Sequence, residues 1–199
     1  MTQEISLSID GQLVTASSGE KILWVALRHG IFIPHLCAME TKELASAACR
    51  LCFVEVEGRS QPVTACTEAV QQNMVVNTRS KTIDALVKTG FELILSVHQP
   101  RCAQCARNGN CMLHAIAKAR GLSLKPQSLS YLERDRPTAP IALHIEYAPQ
   151  QCILCGCCVQ ACKSFGSGIL GFCERGFERL VTTFPKNPPT PVSYTHLAQ

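Results

Sequence analysis

The chain has 199 residues, enough for one domain or two small ones and too few for a large multidomain enzyme. Hydrophobic residues make up 46% and charged residues 17%, which excludes a disordered chain; the formal charge of +4 comes from scattered Lys and Arg, so nucleic acid is not an expected partner. The anomaly is 13 cysteines, an odd count at a density below that of small disulfide scaffolds, which argues against a disulfide framework.

The N-terminus alternates apolar and polar residues and lacks the basic start, apolar run and cleavage site of a secretory signal. The most apolar stretch, residues 91–97, is far shorter than the ~20 residues of a spanning helix. These features predict a cytoplasmic protein with reduced thiols and no transmembrane segment. Ile5, Leu7 and Ile9 alternate, Asp10-Gly11 marks a hairpin, and Leu13 and Val14 resume the extended pattern. Ser17 or Ser18 is the expected cap of a helix from about Glu20 to His29, stopped by Gly30. Residues 53–56 and Val75-Val76 read as further strands, so strands, helix and cysteine-bearing loops predict a small α+β module. Ser80 is the expected cap of a second helix, with Ile83, Leu86, Val87, Phe91, Ile94 and Leu95 near helical spacing, ending before His98. A short helix is expected from near Asn110 to Gly121. Residues 122–149, broken by Pro126, Pro137 and Pro140, read as a connector with little regular structure.

The cysteines fall into three groups. The first, Cys37-x11-Cys49-x2-Cys52-x13-Cys66, supplies one close pair and two separated thiols, as a loop wrapping a [2Fe-2S] cluster requires. Structural zinc is the alternative, although zinc sites usually present two close pairs. The second is His98-x3-Cys102-x2-Cys105-x5-Cys111, three thiols and an imidazole, which can hold a [4Fe-4S] cubane or a three-cysteine zinc site. The third, Cys152-x2-Cys155-x2-Cys158-x3-Cys162, is the bacterial ferredoxin run, whose first three cysteines ligate one cubane and whose fourth ligates another cluster. No second run follows it before residue 199, so the first cubane of this run is expected to lack its fourth ligand and the other cluster its remainder. Cys157 and Cys173 are left over and read as buried or adventitious thiols.

Pro34-His35-Leu36-Cys37, the run from Ala48 through Cys49 and Cys52 to Val56, Thr64-Ala65-Cys66 and Asn108-Gly109-Asn110-Cys111 resemble the N-terminal region of the complex I large-subunit (75 kDa) iron–sulfur family. That family includes the small diaphorase subunit of NAD-linked hydrogenases and the N-terminal modules of iron-only hydrogenases and formate dehydrogenases. The resemblance implies a β-grasp 2Fe-2S ferredoxin domain over residues 1–79 and a 4Fe-4S segment with one histidine and three cysteine ligands over 80–121. After a connector over 122–148, it implies a partial bacterial-ferredoxin-like 4Fe-4S domain over 149–184. Two departures stand out: Cys157 occupies a usually basic or polar position, and no proline follows Cys162.

The implied function is single-electron relay in an NAD(P)H-linked oxidoreductase, beside a flavin subunit that oxidises NAD(P)H and a hydrogenase, formate dehydrogenase or quinone-reducing partner. The chain is expected in the cytoplasm or at the periphery of a membrane complex. A second reading makes it the electron inlet of an iron-only hydrogenase or formate dehydrogenase, the branch that residues 168–172 and 175–178 resemble most. A zinc-stabilised binding module is the third. No nucleotide-binding glycine motif, catalytic triad or acid pair stands out. His35 lacks the second histidine of a Rieske centre and reads as a loop residue, Trp24 as packing, and His114 as a surface or outer-shell residue. Residues 185–199 are Pro-rich and end in a run, 192–197, resembling a translated sequencing adapter, so this tail is expected to be artefactual.

Overall fold

The structure, a computed structural model, describes residues 4–40, 45–133, 137–142 and 145–183. The expectations for residues 184–199, the Pro-rich tail included, lie outside the described residues.

Alternation over the first residues produces β1 (Glu4–Ile9) and β2 (Gln12–Ser17), an antiparallel pair in register from Glu4 opposite Ser17 to Ile9 opposite Gln12. The turn works because Asp10 and Gly11 both take positive φ, 50° and 80°, as a tight two-residue hairpin requires. Asp10 also anchors the far end of the sheet, accepting from Thr78 N at 2.7 Å and from Thr78 Oγ1 at 2.6 Å. Helix α1 (Ile22–Arg28) crosses behind the sheet. Neither Ser17 nor Ser18 caps it: Lys21 is the cap residue, and it makes no side-chain cap bond. Carbonyls do the work instead, since Ile22 N donates to Glu68 O and Leu23 N to Ala65 O, both at 3.0 Å. Strands β3 (Phe53–Val56), β4 (Val63–Thr64) and β5 (Val75–Asn77) complete a sheet of order β2-β1-β5-β3-β4, with β1 and β5 parallel. Its core joins Leu7, Ile9, Val54 and Val76 of the sheet to Ile22, Leu23, Val25 and Ala26 of α1.

Helix α2 (Lys81–Leu95) begins as the sequence predicts, with Ser80 Oγ accepting from Ile83 N at 3.1 Å and donating to Glu55 Oε1 at 2.7 Å. Helix α3 (Met112–Arg120) ends at Gly121, whose φ of 64° is the left-handed stop. The two helices share a second core of Ile83, Val87, Phe91, Leu95, Leu113, Ile116 and Ala117. Arg120, its side chain only 3% exposed, locks them to the sheet by donating to Asp84 Oδ1 at 2.8 Å and Thr78 O at 3.0 Å.

The stretch read as a connector carries more order than its prolines suggest. It forms β6 (Ala139–Ala142) and β7 (Ile145–Tyr147), an antiparallel pair with an irregular register at Pro140 and Ala142. Proline is tolerated there because the pair stands alone as a two-stranded sheet. Helix α4 (Cys157–Ser164) and the hairpin β8 (Leu170–Cys173) and β9 (Leu180–Thr183) follow, packed around Val159, Val181, Leu170 and Phe172. No helix among the described residues is long and apolar enough to cross a membrane.

Candidate iron–sulfur sites

Each cysteine loop is fastened to the fold by residues adjoining its thiols. Ala65 N donates to Cys52 O at 2.8 Å and Ala65 O accepts from Leu23 N, so the helix start and the strand end together aim Cys52 and Cys66. Cys52 and Cys66 belong to the sheet core, whereas Leu51, fully buried between Cys49 and Cys52, plugs into the α2–α3 core. The loop is thus gripped from both sides. Gly90 of α2 permits this approach: a β-carbon there would stand 3.1 Å from Arg50 O and 3.2 Å from Leu51 Cδ2.

The four thiols of the first group come together as two pairs, Cys37 with Cys49 and Cys52 with Cys66. The Cys49 thiol hydrogen-bonds the Cys37 sulfur and, against burial, lowers its pKa to about 5, while Cys49 is pushed up by the same bond and by burial. Cys66 is likewise lowered by the Cys52 thiol, and Cys52 raised. Metal displaces thiol protons on binding. Two thiolates for each of two irons is the donor set of a [2Fe-2S] cluster, so the residues fit that group. Among the described residues, no three His, Cys, Asp or Glu side chains surround one point as a lone metal ion would need.

Backbone geometry favours sulfur at all three groups. Cys49 N donates to Cys37 Sγ, Arg107 N to Cys105 Sγ, Leu154 N to Cys152 Sγ and Leu170 N to Cys162 Sγ, each at 3.4 Å. Arg50 and Leu154, each inside a Cys-x2-Cys step, take φ of 52° and 54°, a left-handed conformation that non-glycine residues rarely adopt away from functional loops. Such N–H to S bonds are one determinant of cluster potential.

His98, Cys102, Cys105, Cys111 and His114 line one pocket, partly open to solvent. Cys111 is the residue before α3, and Cys102 and Cys105 bracket a single 3₁₀ turn. In the third group, burial pushes the Cys158 thiol up, with the charges of Cys152 and Cys155 adding to it, and Cys162 faces Ser167 Oγ at 3.2 Å. Cys155 lies within hydrogen-bonding reach of Cys157.

Cys157 is more than a leftover thiol: its Sγ donates to Leu36 O at 3.2 Å, bridging the third group to the residue before Cys37. The segments that lead into the second and third groups also touch, through Gln99 N to Gln150 O at 2.9 Å. No local signal in the sequence announced these long-range contacts. Cys173 lies in β8 opposite Leu180. His35 is a loop residue as expected, its Nδ1 donating to Ile33 O at 2.9 Å and its ring meeting Trp24 edge-on. His114 is exposed, with Nε2 3.4 Å from Cys102 Sγ.

A family described as a 2Fe-2S iron–sulfur cluster binding domain matches residues 2–81, and the NADH-ubiquinone oxidoreductase-G iron–sulfur binding region matches residues 88–123. The chain is 33% identical over 185 residues to the NADP-reducing hydrogenase subunit HndD of Solidesulfovibrio fructosivorans, covering 89% of this chain and 31% of that one. It is 34% identical over 185 residues to the NADPH-Fe(3+) oxidoreductase subunit alpha of Geobacter sulfurreducens, covering 92% and 22%. Thus the chain spans less than a third of the length of these curated relatives. Its fold is similar to a chain in the crystal structure of an NAD+-reducing [NiFe]-hydrogenase in the H2-reduced state, with a TM-score of 0.80 at 27% identity over 92% of this chain and 76% of that one. Paired thiols on a ferredoxin-type sheet, the adjoining cysteine-bearing helices and these likenesses agree: the chain carries a 2Fe-2S iron–sulfur cluster binding domain followed by an NADH-ubiquinone oxidoreductase-G iron–sulfur binding region.

Proposed function

We propose that the chain relays single electrons through three successive iron–sulfur sites in an NAD(P)H-linked oxidoreductase or hydrogenase assembly. Cys37, Cys49, Cys52 and Cys66 would hold a [2Fe-2S] cluster in a β-grasp domain over residues 1–79. His98, Cys102, Cys105 and Cys111 would hold a [4Fe-4S] cluster in the helical segment 80–121. Cys152, Cys155 and Cys158 would hold a further [4Fe-4S] cluster in a partial ferredoxin-like domain over 149–184, with Cys162 directed to another. The clusters, when bound, supply reversible one-electron storage. The protein's part is to fix their spacing, bury the first group and donate hydrogen bonds to sulfur.

The observation that carries this reading is the contiguity of the three groups, through Cys157 to Leu36 and Gln99 to Gln150. A relay needs adjacent sites, and a set of independent structural metals does not. The partners that suit it are a flavin subunit oxidising NAD(P)H and a subunit that accepts the electrons. The similarity to HndD, a hydrogenase subunit, favours a second reading in which the module feeds a hydrogenase centre directly. The relay is tested by paramagnetic resonance of the dithionite-reduced protein: Cys49→Ser is expected to remove one signal and Cys102→Ser a different one. Unchanged iron content and spectra in both variants would end it.

A further inference from the structure

His114 is the third residue of α3, and its Nε2 reaches back to Cys102 Sγ, twelve residues earlier, at 3.4 Å. Both side chains line the pocket that also receives His98, Cys105 and Cys111. The helix fixes this approach, because Leu113 and Ile116 on either side of His114 are buried in the α2–α3 core and set the rotation of α3. A thiolate that ligates iron accepts hydrogen bonds and donates none, so the proton in this contact sits on Nε2 and the imidazole is the donor. Where backbone N–H groups serve Cys37, Cys105, Cys152 and Cys162, a side chain serves Cys102.

We propose that His114 is a positioning residue that donates to Cys102 Sγ and thereby raises the reduction potential of the [4Fe-4S] cluster of the second group; this rests on the ligand assignment proposed above. Reduction adds one electron, whose charge spreads onto the sulfurs, and a donor held against one of them stabilises the reduced form more than the oxidised form. No bond forms or breaks in the step, and the proton stays on Nε2. His98 and His114 thus have separate tasks, one as ligand and the other acting through Cys102.

The test is a redox titration of the full chain with reconstituted clusters, followed by paramagnetic resonance at one pH. His114→Leu removes the donor, and His114→Gln keeps a side-chain N–H. The expected result is a lower midpoint for the second-group signal in His114→Leu, with iron and acid-labile sulfide content and the remaining signals unchanged, and an intermediate midpoint in His114→Gln. An unchanged midpoint in His114→Leu would overturn the proposal. So would loss of the signal in both variants, because His114 would then be a ligand or a folding requirement. A second-group signal that survives Cys102→Ser would remove the ligand assignment, and this proposal with it.

Discussion

Gly90 is where helix packing and cluster ligation meet, and its replacement by valine gives a sharp prediction. The added β-carbon would lie 3.1 Å from Arg50 O and 3.2 Å from Leu51 Cδ2, with Cys49 O at 3.7 Å. Arg50 O is backbone in a left-handed turn and Leu51 is fully buried, so neither can yield freely. Overpacking of this kind costs about 1–3 kcal/mol, and the two γ-methyl groups place valine toward the upper end. Better helix propensity returns only about 0.3–0.5 kcal/mol. The net loss of about 2 kcal/mol corresponds to roughly thirtyfold in the folding equilibrium. Because the strain falls on the loop between Cys49 and Cys52, the first group should suffer before the sheet does. Anaerobic urea titration of cluster-loaded protein, read by visible absorbance and far-ultraviolet dichroism, is the assay. Gly90→Val should lose its colour at a urea concentration about 1 M lower than the unsubstituted protein, at a typical urea dependence. Equal midpoints in both readouts would refute the claim that Gly90 sets the distance between α2 and the cysteine loop.

Three further outcomes follow from the same contacts. Arg120→Ala leaves Thr78 O without its guanidinium donor and removes the buried tie from α3 to Asp84, so a loss of about 2 kcal/mol, or roughly 4–8 °C in Tm, is expected by calorimetry; a shift under about 1 °C would contradict it. Cluster-free protein should be cut by protease within residues 98–111, where the only described helical element, the turn Cys102–Gln104, buries no residue; equal resistance with and without clusters would count against this. Cys157→Ala should retain its full iron content, because Cys157 bridges to Leu36 O and is not a proposed ligand; iron loss matching that of Cys155→Ser would make it one.

Local chemistry was legible in the sequence, and long-range pairing was not. The β1–β2 hairpin could be read because strict alternation and Asp10-Gly11 encode it within a few residues, and α2 because Ser80 and its apolar face act locally. The start of α1 is hidden from local sequence because Ala65 and Glu68, more than forty residues away, satisfy its first N–H groups in place of Ser17 or Ser18. β4 has only two residues and exists through its pairing with β3, while β6 is obscured by Pro140. Spacing sorts the cysteines into three groups, since they recur at short intervals. What spacing could not carry is the pairing of Cys37 with Cys49 and Cys52 with Cys66, the Cys157 bridge, or the reach of His114 to Cys102. Those contacts depend on how the sheet, α2 and the third segment dock.

The most direct test of the central claim is anaerobic metal and acid-labile sulfide analysis of the purified protein, combined with Mössbauer spectroscopy. Iron and sulfide are expected in equal amounts, with [2Fe-2S] and [4Fe-4S] components together and negligible zinc. Stoichiometric zinc without sulfide, in colourless protein, would contradict it.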